Sequence, residues 1–406
     1  MIGWVLLSPQ AVARAAEALA TTDRGVRDEV GFQSIHQAIA DHLFPGTSVL
    51  HTRARYACLV PWMMKQVAEY GSGSDLERQL LRAEGRLAGQ LVLGQDAGRD
   101  AAGAIGAAVW RQRRSPPAQP SSFSYWSALR EWGILVRSPD GSTPRRIEVL
   151  RKLSRRRGPR QAGLEDDPVP AMAIASPFVR LPEPPKEFGK STLPLDLVLT
   201  KDERIFLRRQ LIGVLRPDGR QSLLARLAEA RFIGRVDDAS WYEKVAELAD
   251  PGDRAILRVA RDAAALVAVG RGVYGALVEA AWNDDREQRS RSRTEALAKA
   301  RNEYAAMARR LDIDKLGELF PELQTNLLDL LRATQAWLEA GTESPRELWD
   351  FYAYAEWELK KERSKLATKL SGRRRRDEWR PDKHPDPAPL GYRWRNVAQI
   401  LADVAG

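Results

Sequence analysis

Apolar positions in the first hundred residues recur at helical spacing. Val12, Ala15, Ala16 and Leu19 share one face, and Ile35, Ile39 and Leu43 form a second that Pro45-Gly46 stops. Thr47 or Ser48 is placed to cap the next helix. Tyr56, Leu59, Val60, Met63 and Met64 line one side of a third segment, with an interruption expected near Pro61, because the residue before a proline leaves the α region. Leu76, Leu80, Leu87 and Leu91 then mark a long amphipathic helix whose polar face carries Arg78, Arg82 and Arg86.

The pattern changes between Gly103 and Lys152. A helix over 101–110 leads to Ser115-Pro116-Pro117, and Ser121-Ser122 caps a short helix with Tyr125, Trp126 and Leu129 that ends at Gly133. Ile134-Leu135-Val136 and Ile147-Glu148-Val149 are β-like runs around Pro139-Asp140-Gly141, which predicts a hairpin. Helix, turn, helix and basic hairpin is the order of a winged helix, a fold that grips duplex nucleic acid in some proteins and binds protein in others.

Residues 158–196 contain eight prolines without a sustained period, which predicts an extended linker or a segment wrapped on a surface. Helical periodicity then resumes, with capping boxes at Thr200-Lys201-Asp202-Glu203 and Ser344-Pro345-Arg346-Glu347. A long apolar helix is expected from about Arg254 to Trp282. The expected fold is mainly α. It comprises a helical N-terminal region (1–100), a winged-helix-like module with a small β hairpin (101–157), a Pro-rich linker (158–198) and an all-α C-terminal domain with a basic aromatic tail (199–406).

Charge sharpens this picture more than overall composition does. The 406 residues carry a net +10, and Arg111–Arg160 alone holds 13 basic against 3 acidic residues. Glu358–Arg395 holds 13 against 6. Such clusters are either solvated faces or seats for a polyanion. The single cysteine fits a reducing compartment, and no leader or uncharged membrane-length run is evident, so a cytoplasmic location is expected.

Catalytic signatures do not emerge. His36, His42 and His51 lie close to Asp41 and Cys58, but His36 and His42 fall about 240° apart on a helix and cannot converge on a metal. Gly270-Arg271-Gly272-Val273-Tyr274-Gly275 fits G-x-G-x-x-G, yet Ile256, Val259, Ala263, Leu266, Val273 and Leu277 keep helical spacing through it. Close helix packing explains these glycines better than a dinucleotide. Gly189-Lys190-Ser191-Thr192 lacks the glycine a phosphate loop needs, and Glu358-Leu359-Lys360 offers only the E-x-K part of a nuclease motif. No metal, cofactor or catalytic residue is expected.

The arginines therefore carry the functional reading. Arg111, Arg113, Arg114, Arg145, Arg146, Arg151, Lys152, Arg155, Arg156, Arg157 and Arg160 form one candidate phosphate-binding set. Arg373, Arg374, Arg375, Arg376, Arg380, Arg393 and Arg395 form another. Among the latter, Trp379, Tyr392 and Trp394 either stack on bases or dock a terminal helix ending at Val404. Within Gly31–Trp62, Arg53 and Arg55 are candidate anion contacts, and Thr47 and Ser48 either accept an anion or cap a structural helix.

Four stretches, GFQSIHQAIADHLFPGTSVLHTRARYACLVPW, GAIGAAVWRQRRSPPAQPSSFSYWSALREWGI, LPLDLVLTKDERIFLRRQLI and LGYRWRNVAQIL, resemble in the same order an uncharacterised bacterial family known as a domain of unknown function. The resemblance implies a place among phage-defence genes, beside helicases and nucleases. It supplies no catalytic residue. The basic insert around Arg155–Arg160 departs from it. The sequence as a whole predicts a non-catalytic subunit that binds DNA or another nucleic acid, duplex DNA foremost and largely without sequence reading; the alternatives are an adaptor for a helicase or nuclease, using Trp349 and Trp357, and a nuclease of unrecognised type.

Overall fold

The computed structural model describes residues 29–70, 75–138, 141–155, 176–234 and 241–406. The helix expected at Val12–Leu19, the Pro139-Asp140 turn, and Arg156, Arg157 and Arg160 lie outside the described residues. Among those described are seventeen α-helices and no strand. In chain order they are α1 (Phe32–Leu43), α2 (Tyr56–Tyr70), α3 (Leu76–Asp96), α4 (Ala107–Arg113), α5 (Ser121–Ser124), α6 (Trp126–Glu131), α7 (Arg146–Arg155), α8 (Lys201–Ile212) and α9 (Leu223–Glu229). There follow α10 (Trp241–Ala246), α11 (Pro251–Arg286), α12 (Ser292–Ala308), α13 (Ile313–Leu319), α14 (Thr325–Ala340), α15 (Trp349–Lys360), α16 (Leu370–Asp377) and α17 (Trp394–Ala405). The described residues divide into two compact units, unit 1 holding those within 43–234 and 393–406, and unit 2 those within 29–42 and 241–392.

In unit 1, α2 runs through Pro61 without a break. A proline inside a helix costs about 3 kcal/mol. Leu59, Val60, Trp62, Met63 and Met64 are all buried around it, each contributing about 1.5–3 kcal/mol, so packing outweighs the lost backbone bond. The expected cap at Thr47 or Ser48 starts no helix. Ser48 closes only a turn, its hydroxyl accepting from Leu50 N–H at 3.2 Å, and helix resumes at Tyr56.

The winged-helix expectation does not hold. Residues 146–155 are helix α7, which buries Val149, Leu150 and Leu153 at helical spacing; three alternating residues are too few to separate the two periods. The run at 134–136 pairs instead with the Pro-rich stretch: Leu135 bridges Phe178, and Val136 N–H donates to Pro177 O at 2.9 Å. Nor do the serines cap α5. The buried Glu84 of α3 accepts from Ser121 N–H at 3.0 Å and Ser122 N–H at 2.7 Å.

The described part of the Pro-rich stretch, 176–198, is packed on unit 1. Phe178, Leu181, Leu195 and Leu197 are buried, and the Gln90 side chain donates to the carbonyls of Glu187, Lys190 and Leu193. Gly94 admits the strap, since a Cβ there would sit 1.9 Å from Leu195 O. Gly94→Ala is expected to destabilise by about 2–3 kcal/mol despite alanine's better helix propensity, because a backbone carbonyl has to move. Urea unfolding checks this; an unchanged midpoint would contradict it.

Thr200 and Glu203 form the capping box predicted for α8, and α17 packs on α8 and α9. In unit 2, α11 is 36 residues long, begins with an Asp250 cap and Pro251, and runs straight through the G-x-G-x-x-G glycines. A Cβ at Gly270 would lie 2.6 Å from the Phe32 ring and 3.0 Å from the Tyr352 hydroxyl, so the glycine serves close packing. By length and hydropathy α11 could cross a membrane, yet 89% of its most apolar window is buried within the structure.

Candidate nucleic-acid interface

The stretch after α1 builds the inside of unit 1. Gly46, at φ 77°, turns the chain against α6, where a Cβ would meet Glu131 Cβ at 2.7 Å and the Trp132 indole at 2.9 Å. Thr47 Oγ1 donates to Phe44 O at 2.7 Å, and Thr47 O accepts from Arg393, so this turn's polar atoms serve the backbone. Arg53 is buried. Its Nε lies 3.0 Å from Asp403 Oδ1 and its Nη1 2.9 Å from Asp100 Oδ1. Arg55, also buried, pairs with Asp196 at 2.7 Å and Glu203 at 2.9 Å. Both guanidiniums thus tie the 51–55 segment to α8, α17 and the 100 and 196 loops, and neither is presented to a phosphate.

The two carboxylates on Arg53 shift in opposite directions. Burial raises the pKa of Asp403 more than Arg53 lowers it, whereas the half-exposed Asp100 is held below its ordinary value chiefly by its hydrogen bond to Arg53. The Tyr125 hydroxyl completes the segment by accepting from Thr52 and Arg53 N–H and donating to Arg53 O at 2.8 Å.

The three histidines go to three different places. His36 stacks on Tyr392 at 5.9 Å, His42 Nε2 lies 3.3 Å from Asp253 Oδ1, and His51 stacks on Tyr125 at 4.2 Å. His51 Nε2 is 2.8 Å from Ser124 O, which can only accept, so Nε2 carries the proton of a neutral ring. Burial pushes its pKa down to about 4 from 6.5. As pH falls below 6.5, the unfolded chain takes up a proton that the folded chain refuses, so stability falls with pH and the full loss is reached near pH 4. The expected loss between pH 7 and pH 5 is about 2 kcal/mol, missing from His51→Gln. Denaturation at the two pH values reads it, and equal losses in both proteins would contradict the assignment.

The structure leaves a second set of arginines outside. Arg113, Arg114, Arg145, Arg151 and Arg155 are exposed, and their side chains have no hydrogen-bond or ion-pair partner among the described residues. Arg111 is exposed but engaged by Asp96 at 2.7 Å, and Lys152 is half-buried. Arg113 at the end of α4 and Arg145 and Arg146 at the start of α7, more than thirty residues apart in sequence, border one cleft of about 1440 Å³. Its walls come from α3, α4, the 115–120 loop and α7, and Arg146 lies 5.3 Å from the centre of the Phe123 ring. Glu84 and Ser122 also line it. Sequence reasoning missed Glu84 because a glutamate inside an amphipathic helix looks like any solvent-facing residue.

In unit 2, Arg373, Arg374 and Arg375 are exposed on α16, while Arg376 is buried and held by Asp285 at 2.6 Å. Arg380 donates to its neighbours' carbonyls, Asp377 O and Trp379 O. Arg395, on α17 in unit 1, is exposed. Trp379, Tyr392 and Trp394 are buried, with the Tyr392 hydroxyl donating to Ala260 O at 2.8 Å and Trp394 against Phe44, so they dock structure and offer no face to a base. Glu358 and Lys360 also part company. Lys360 is drawn to Glu29 and Glu356, while the exposed Glu358 pairs with Lys361. Among the described residues no three of His, Cys, Asp and Glu are grouped to hold a metal.

Residues 1–318 match the profile of a protein family described as one of unknown function. No curated protein and no solved structure matches the chain.

Proposed function

The chain belongs to the DUF6361 family, and we propose that this member binds nucleic acid through phosphate contacts, without catalysis and without strong sequence reading. The observation that carries the reading is the sorting of the arginines. Arg53, Arg55 and Arg376 are spent on carboxylates inside the fold, whereas Arg113, Arg114, Arg145, Arg151 and Arg155 face solvent with no carboxylate among the described residues to neutralise them. An unpaired guanidinium keeps its full charge for a phosphate and suits it geometrically. With the hairpin gone, nothing favours a duplex over a single strand, so the test uses both. Binding is measured by anisotropy of a labelled duplex and a labelled strand across a salt series. By its resemblance, the protein serves as a DNA-binding subunit of an antiviral system, leaving chemistry to a helicase or nuclease.

An adaptor role is the second reading, favoured by one feature of unit 2. Phe351 and Tyr354, one turn apart on α15, are 47% and 58% exposed, and Trp349 and Trp357 of the same helix are half-buried. A partner held on that face would stay bound at high salt, where phosphate binding weakens steeply.

A further inference from the structure

We propose that the cleft of unit 1 receives one unstacked nucleotide of a single nucleic-acid strand, with the base between apolar walls and the neighbouring phosphates on Arg113, Arg145 and Arg146. The inference rests on the phosphate-binding reading of the same face and names its ligand. Three independent features point to it. First, at about 1440 Å³ the cleft has room for a base with its sugar, and Leu81, Val109, Pro116 and Ile147 give it the apolar lining that a flat ring needs. Bases in a duplex are stacked and paired and present only their edges, so an apolar cleft selects strands whose bases are free.

Second, the charge is arranged for an anion. Arg113 and Arg145 are exposed and have no ion-pair partner among the described residues, and Arg146 leans on the Phe123 ring. Against them stand Glu77, which is exposed, and Glu84, whose two oxygens are already taken by Ser121 and Ser122. Third, Ser122 lines the cleft and is 1% exposed, yet its hydroxyl has no hydrogen-bond partner among the described residues. A buried hydroxyl left unpaired is costly. Rotation about its single side-chain torsion offers it to an acceptor on a base edge, which removes that cost only when a ligand is present.

Ala108 lines the cleft, is exposed and carries no charge, so Ala108→Trp fills the space without touching an arginine. Leu81→Trp does the same from α3. Anisotropy is measured with a labelled oligothymidylate and with a labelled duplex, for these variants and for Arg151→Glu/Arg155→Glu, whose residues do not line the cleft. Either tryptophan variant is expected to weaken single-strand binding about tenfold while leaving its salt slope and the duplex affinity unchanged, since one base loses its contacts. If the double arginine variant weakens binding while both tryptophan variants leave the strand's affinity intact, the cleft assignment is overturned and the arginine reading stands. If the double arginine variant leaves both affinities unchanged, the phosphate-binding reading itself fails. Thermal melts establish that each variant is folded, and the second tryptophan keeps the test decisive should the first unfold.

Discussion

Arg53→Met is expected to lower the stability of the protein by about 3–5 kcal/mol, more than any other single substitution proposed for this chain. Methionine keeps most of the stem's volume, so the loss comes from the carboxylates left behind. The Asp403 side chain is only 5% exposed and keeps no other cation among the described residues; its oxygens also accept from Ala54 N–H at 2.7 Å and Gln399 at 3.0 Å, bonds that favour its charged form. Asp100, half exposed, can turn to water and contributes less. Adding Asp403→Asn to Arg53→Met should therefore recover part of the loss, because the orphaned charge is removed with its partner. Replacing Arg111, whose pair with Asp96 has both side chains about half exposed, should cost under about 1 kcal/mol. Urea unfolding of the four proteins reads these differences. Similar midpoints for the Arg53 and Arg111 variants would contradict the structural role given to Arg53.

The second large effect concerns binding. Arg151→Glu/Arg155→Glu is expected to weaken nucleic-acid affinity roughly 60-fold or more at about 0.1 M salt, with little change in stability. Each duplex phosphate contact releases about 0.9 counterion, which is worth roughly eightfold at that concentration, and two lost contacts multiply before any repulsion from the new carboxylates. Both side chains are exposed and without partners among the described residues, so folding has little to lose. Titration at fixed salt checks the first half and a thermal melt the second. A less than twofold change in affinity would remove these residues from the interface.

Much of the helical framework was legible because burial repeats with the helix. Leu76, Leu80, Leu87 and Leu91, the Thr200–Glu203 box, and the apolar run of α11 through its glycines all appear where periodicity and capping place them. The expected hairpin failed for a local reason and a distant one. Ile147-Glu148-Val149 is too short to show its period, and the true partner of Leu135, Phe178, lies more than forty residues away in a stretch whose prolines suggested a linker. Pro61 misled in the same manner, since propensity is local and the burial that overrides it is not.

The candidate site was legible in part. Composition located the basic segment around Arg111–Arg160, but it could not separate Arg53 and Arg55, committed to carboxylates up to 350 residues away, from Arg113 and Arg145, which have none among the described residues. Charge is visible in a sequence, whereas neutralisation depends on which distant acid the fold delivers. The same holds for Trp379, Tyr392 and Trp394, whose alternation with arginines suggested base stacking and whose burial rules it out.

If the exposed arginines of unit 1 meet a phosphate backbone, affinity has to depend on salt through them. For whichever binds more tightly of a duplex and a single strand, log affinity against log salt should fall with a slope of about −3.5 to −4.5, the range for five contacts at about 0.7 to 0.9 counterions each. In Arg151→Glu/Arg155→Glu the slope should become shallower by about 1.4 to 1.8. A slope near zero, or one that the double variant leaves unchanged, would mean that these arginines do not carry the binding.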